Sequence, residues 1–224
     1  MSEASDYYYL VRRDVVRFIP STTQRLLDIG CGAGLSAKYA KDALGIEEAI
    51  GIEYVPAIAQ QAAERLDRVF CGDVETMQLD FPLGYFDCIL CADVLEHLRD
   101  PWALLRRLRP LLSPKGVLVA SIPNLRHARV LLKILLDRFE YESSGILDRT
   151  HLRFFTRHTI EQMFASTGYT VEVVGTNRSR SWKFLLLKLL TLGLARPFSI
   201  VQYIVVARPK LGANNGENCT ERNL

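Results

Sequence analysis

The 224-residue chain is most informative at first through what it lacks. Its five cysteines are odd in number and scattered, so they do not form a disulfide framework. The opening "MSEASDYYYLVRRD" is polar and aromatic with no apolar h-region, so no secretory leader is expected. The longest apolar run, "FLLLKLLTLGLA", is broken by Lys188 and is too short to span a bilayer. These absences predict a soluble, cytoplasmic protein. No histidine or acid cluster has metal-ligand spacing, so no metal requirement is expected. Cys88 and Cys91 spell C-x-x-C, but "FDCILCAD" reads as a buried strand. Residues three apart on a strand point to opposite faces, so the pair is read as structural thiols.

What is present describes a globular chain. At 49% hydrophobic and 24% charged residues, it suits one domain with a layered core. The net charge of +3 hides an asymmetry: residues 1–120 carry 13 Lys and Arg against 17 Asp and Glu, residues 121–224 carry 15 against 8. The basic second half suits phosphate, an anionic glycan or an anionic membrane surface, or is simply a solvated face.

Short apolar runs alternate with helical patterns. "RLLDIG", "EAIGIE", "RVFCGD", "FDCILCAD" and "GVLVASIP" read as strands; "GLSAKYAKDAL", "VPAIAQQAAERL" and "PWALLRRLRPLL" read as helices, two of them opened by Pro56 and Pro101. Such alternation predicts an α/β fold with a parallel, doubly wound sheet. After Pro123, "NLRHARVLLKILLDRF" reads as a helix, "EYESSGILDRTHLRFF" as a loop, and "TRHTIEQMFASTG" as a helix capped by Thr156 and stopped at Gly168. "YTVEVVGT" and "IVQYIVVARP" supply two further strands. At the other end, Tyr8, Val11, Val15, Phe18 and Ile19 recur at helical spacing, which predicts an amphipathic helix over residues 1–20 lying on the fold as lid or cover.

The stretch "LLDIGCGAGLSAKYA" joins the first strand to the first helix. From Gly32 it fits G-x-G-x-x-A of dinucleotide sites; from Asp28 it fits D-x-G-x-G-x-G. Gly30, Gly32 and Gly34 let the backbone approach a ligand, because a Cβ would obstruct contact. Acids at later strand ends tip the balance. Glu53 ends strand two, where a carboxylate accepts from ribose hydroxyls, and Asp73 ends strand three, where it suits an adenine amino group. Asp28 suits a positive amine or sulfonium and would sit badly beside a pyrophosphate.

"LLDIGCGAGLSA", "GIEYVP", "CGDVETM", "FDCILCADVLEHLRDP" and "LLSPKGVLVASIPN", in this order, resemble the successive motifs of class I S-adenosylmethionine-dependent methyltransferases. The resemblance covers Leu26 to Asn177 and, more loosely, the last strand to Arg208. It implies a Rossmann-like seven-stranded sheet in order 3-2-1-4-5-7-6 with strand seven antiparallel, within a single methyltransferase domain over residues 1–208. Residues 124–167 and 178–198 become insertions on the substrate side, and 209–224 a disordered tail. The resemblance places Asp28, Gly30, Gly32 and Gly34 around the methionine moiety, Glu53 on the ribose, Tyr54 against the adenine, Asp73 and Val74 at the adenine, and Asp93 facing the amine or the substrate. "GILDRTHLRFFT" further resembles small methyltransferases associated with glycosyltransferases.

A hydroxyl acceptor needs a base, and histidine serves near neutral pH. His151, with Asp148 close enough in sequence to orient its ring and Arg149 and Arg153 close enough to meet an anion, and His127, after strand five, are the candidates; His158 reads as a surface residue. For His97 two readings stay open, pocket residue or structural histidine. The expected reaction is O-methylation of a sugar, glycan or other small polar acceptor, which leaves S-adenosylhomocysteine. A quinone-like aromatic acceptor and a non-catalytic cofactor-binding module are the alternatives, and N-methylation stays open. Strand four ends "ADVLEH" and lacks the N-P-P-Y-type element of base-methylating relatives, so no nucleic-acid substrate is expected. The helical pattern over 181–194 sets Lys183 and Lys188 against a broad leucine face, which suits core packing, a homodimer contact or the inner face of a membrane.

Overall fold

The computed structural model describes residues 8–178 and 196–210. The helical pattern over 181–194 and the sequence from 211 onward lie outside them. Of the tail expected over 209–224, Pro209 and Lys210 are described and ordered: Pro209 closes the last strand and the Lys210 N–H donates to the Gly168 carbonyl at 2.9 Å.

In chain order the elements are α1 (Arg13–Val16), β1 (Arg25–Ile29), α2 (Leu35–Leu44), β2 (Glu48–Glu53), α3 (Pro56–Ala63), β3 (Arg68–Cys71), β4 (Phe86–Ala92), α4 (Pro101–Leu108), β5 (Leu112–Pro123), α5 (Ala128–Leu135), α6 (Arg157–Ser166), β6 (Tyr169–Arg178) and β7 (Ile200–Pro209). The sheet runs β3-β2-β1-β4-β5-β7-β6, as expected. The first five strands are parallel, and β7 pairs antiparallel with both β5 and β6.

Strand periodicity divides the interior into two layers. Leu27, Ile29 and Cys91 face the core shared with Leu104 and Leu108 of α4 and with Ile160 and Phe164 of α6. Leu26 and Cys88 face the other, with Val15 and Val16 of α1, Ala37 and Ala40 of α2 and Ala62 of α3. Cys88 and Cys91 are thus buried free thiols on opposite faces. Helix ends follow local chemistry. Asp100 accepts from Ala103 N ahead of Pro101, Thr156 forms a capping box with Thr159, and Gly168 at φ +86° follows the last turn of α6.

Two helical expectations are corrected. The helix read from Asn124 begins only at Ala128, because Asn124 spends its side chain on the Pro197 and Ile200 carbonyls and on Arg126 N. Of the helix expected over residues 1–20, positions 1–7 lie outside the described residues, and from Tyr8 onward it is confined to Arg13–Val16, since the backbone groups just before it bond elsewhere: Tyr8 O accepts from Ala33 N and Arg12 N donates to Ser36 Oγ. Tyr8 to Arg12 form a strap across the first glycine turn.

Candidate active site

Parallel strands bring the turns after β1 to β5 to one edge of the sheet, where ligands of such folds bind. A cavity of about 1000 Å³ opens there. Of the cofactor residues expected from the sequence, all but Gly34 line it. Gly34, at φ +79°, caps α2 instead.

The first wall is the glycine turn. Gly32 has φ +54°, and a Cβ on it would lie 2.9 Å from the Tyr8 carbonyl oxygen, so the strap can rest only on glycine. Glu53 ties two turns together: Oε2 accepts from Gly32 N at 2.9 Å and Oε1 from Val55 N at 3.0 Å. Its remaining lone pairs are available to hydroxyl donors. Asp28 lies beneath, 2% exposed. Burial, reinforced by the Glu53 carboxylate, pushes its carboxyl up to about 8. Asp73 accepts from Glu75 N at 2.9 Å, Val74 is buried beside it, and the Tyr54 ring is exposed at the rim.

Asp93 lines the cavity at φ +56°, but its carboxylate is bound up within the protein. It accepts from the Arg12 guanidinium, from Ser121 Oγ at 2.7 Å and from Gln202 Nε2 at 2.7 Å. Asp93 therefore holds Arg12 at the cavity wall, on the same wall where it was expected to face the amine or the substrate. Arg12, 9% exposed, is a site residue that sequence reasoning missed. Its only signal was a basic residue in "LVRRD", 16 positions before Asp28.

The far wall is built from the turn Leu95–His97 and the loop after α5. The Glu96 carbonyl accepts from Leu152 N at 2.8 Å and Arg153 N at 3.0 Å, which docks the loop and sets His97 and His151 edge to face, ring centres 4.7 Å apart. Burial lowers both imidazoles below the usual histidine range, so both are neutral near pH 7. Glu96 is 1% exposed, and burial pushes it up to about 8. His97 is thus a pocket residue.

Three expectations about this wall change. Asp148 does not hydrogen-bond the His151 ring; it accepts from Thr150 N and Thr150 Oγ1, and His151 Nδ1 is held by the Ile146 carbonyl at 3.1 Å. Arg153 folds back onto the Arg99 carbonyl, while Arg149 lines the cavity. His127 is not among the lining residues. Its Nδ1 accepts from Arg129 N and caps α5, so the fold does not bring it to the cavity.

A seven-stranded sheet in this order, with an acid ahead of a glycine turn and acids at the next two strand ends, defines a class I S-adenosylmethionine-dependent methyltransferase. The chain belongs to the methyltransferase domain family, whose model matches residues 4–174. Among curated proteins it is similar to the ubiquinone biosynthesis O-methyltransferase of Psychrobacter arcticus, 29% identical over 161 residues, covering 66% of this chain and 59% of that one. The protein of the same name from Cereibacter sphaeroides is 37% identical over 117 residues, 50% of this chain and 46% of that one. The chain therefore spans about half the length of the curated relatives it matches. A SAM dependent methyltransferase from Archaeoglobus fulgidus superposes with TM-score 0.69 at 19% identity, covering 91% of this chain and 97% of that one. One from Mesorhizobium loti gives 0.61 at 18%, covering 92% and 98%. At that identity the likeness is one of fold.

The cofactor of this family is S-adenosylmethionine, and the residues present fit it. The N–H groups of the glycine turn are already taken up within the protein, by the Ile52, Tyr8 and Cys31 carbonyls and by Glu53, so none is held open for a pyrophosphate; Asp28 is a buried acid whose charged neighbour is the Glu53 carboxylate, and the Arg12 guanidinium is committed to Asp14, Asp93 and Gln202. That balance favours a cationic nucleoside over a pyrophosphate. Bound here, the cofactor supplies an electrophilic methyl group on a sulfonium.

Proposed function

We propose that the protein methylates a hydroxyl of a small acceptor at the expense of S-adenosylmethionine, with His151 activating the hydroxyl. One observation carries the reading: one cavity joins the acid-lined glycine turn to the pair formed by half-buried His97 and buried His151. In this reading Asp28 faces the cofactor's positive charge, Glu53 takes its ribose, and Asp73, Val74 and Tyr54 take its adenine. A methyl displacement needs the acceptor oxygen in line and relieved of its proton, and a neutral imidazole on a docked loop meets both needs. The name of the curated relatives supports a small aromatic, quinone-like acceptor; the glycan reading draws only on the resemblance of "GILDRTHLRFFT".

The experiment is S-adenosylhomocysteine release by the pure protein with dihydroxybenzoates and other phenols, free sugars and glycans, and amines as separate arms. Turnover in the phenol arm supports the reading, and turnover only with sugars moves the acceptor to glycans. Turnover only with amines overturns O-methylation. Cofactor binding without turnover in any arm leaves a binding module.

A further inference from the structure

The acceptor end of the cavity holds three donors set up for something other than each other. Glu96 is 1% exposed, and neither of its carboxylate oxygens has a hydrogen-bond partner. A buried carboxyl left without a partner in either protonation state is costly unless a ligand completes it. One ligand atom from each of Glu96, His97 and His151 lies within 4.8 Å of the other two.

The tautomers follow from the neighbours. Thr150 Oγ1 gives its proton to Asp148 Oδ1 at 2.7 Å, so that hydroxyl oxygen and the Thr150 carbonyl accept from His97 Nδ1 at 3.1 and 3.2 Å. His151 Nδ1 faces the Ile146 carbonyl at 3.1 Å and must donate too. Both neutral rings therefore present Nε2 as a bare lone pair. An imidazole whose other nitrogen donates to a backbone carbonyl is oriented as metal-ligating histidines are.

We propose that Glu96, His97 and His151 hold a divalent transition-metal ion of the zinc, manganese or iron(II) class at the acceptor end of the cavity. Two imidazoles favour such ions over magnesium or calcium, and three protein ligands leave coordination positions open to the cavity. The inference rests on the methyl-transfer reading and deepens it: with Nε2 on the ion, His151 serves as a ligand and no longer takes the proton itself, and the ion would acidify the acceptor O–H enough for its proton to pass to water in the open cavity. Linear spacing hides the set, because His97 and His151 stand 54 positions apart and only the docked loop unites them.

The test uses tag-free full-length protein, stripped with EDTA and titrated with Co²⁺ and then Zn²⁺, followed by visible absorption and calorimetry. The expected result is stoichiometric Co²⁺ uptake with d–d bands that Zn²⁺ displaces. Glu96→Gln and His151→Ala should each weaken uptake by more than the roughly 10–100-fold that loss of an outer partner costs. Native circular dichroism and unchanged S-adenosylhomocysteine affinity certify the variants, and His97→Asn replaces Glu96→Gln if the latter does not fold. No uptake of either ion, or uptake that the variants retain, overturns the proposal. S-adenosylhomocysteine binding without metal uptake rejects the ion and keeps the methyl-transfer reading; metal uptake without S-adenosylhomocysteine binding does the reverse.

Discussion

Asp28 shows how much chemistry one buried carboxyl carries. Pushed up to about 8 by burial and Glu53, it is mostly protonated at pH 7. A positive charge beside it favours the carboxylate, so S-adenosylmethionine binding should release a proton. Calorimetry at pH 7 in two buffers of different ionisation enthalpy measures that release, and Asp28→Asn should abolish the buffer dependence. Equal heats for the unmodified protein would separate Asp28 from the cofactor's charge. The two candidate bases divide equally sharply. His151→Ala should lower turnover on the order of 10²–10⁴ with cofactor affinity unchanged. His127→Ala should spare turnover and cost about 1 kcal/mol of stability, the usual value of a helix cap, read from urea unfolding. A reversed result would return the base role to His127.

At the scale of elements, the strap and the glycine turn depend on each other. Tyr8 O takes Ala33 N, Ser36 Oγ takes Arg12 N, and Arg12 reaches Asp93 at the end of β4 and Gln202 on β7. Val15, Val16 and Ile19 just beyond belong to the core, so removing residues 1–20 would damage the fold as well as the strap. A sharper probe is Gly32→Ala. Its left-handed backbone costs an L-residue about 1–2 kcal/mol, and the new Cβ would press on Tyr8 O. The variant should lose about that stability, bind S-adenosylhomocysteine more weakly and be cut faster by trypsin at Arg12 and Arg13. Unaltered proteolysis and binding would show that the strap does not rest on the turn.

At the scale of the molecule, ligand and proton linkage should both appear in stability. S-adenosylhomocysteine at a hundred times its dissociation constant should add about 2.7 kcal/mol, whereas NAD at the same concentration should add none. Stabilisation by NAD would contradict the acid-lined site. Proton linkage has a definite sign. Asp28 has a folded pKa above its ordinary carboxylate value, so between that value and about 8 the folded state keeps a proton the unfolded state gives up. Stability without ligand should therefore fall as pH rises from 6.5 to 8, by up to about 1.4 kcal/mol per unit for each such group, and level off above 8. Asp28→Asn should flatten part of that slope in urea titrations; an unchanged slope would place the titration elsewhere.

Local patterns sufficed for the sheet and for the acids that line one edge of it. Period-two runs, Pro56 and Pro101 at helix starts and the acid-glycine spelling each act within a few residues, and β1 to β5 with Asp28, Glu53 and Asp73 at one edge follow from them. The sequence also determined that Cys88 and Cys91 would part to opposite faces, because a strand leaves no other choice. Tertiary structure decided the rest. Between Tyr8 and Arg12 the helix expected from apolar spacing gave way to bonds with the glycine turn and α2, and His127 lost its place at the cavity to the cap of α5. Arg12 joined Asp93, and His151 joined Glu96 and His97, across separations that no spacing rule spans. Those pairings depend on where a strap and a loop find partners for their backbone N–H and C=O groups once the sheet has formed, and a buried polar group must find one wherever in the chain it lies.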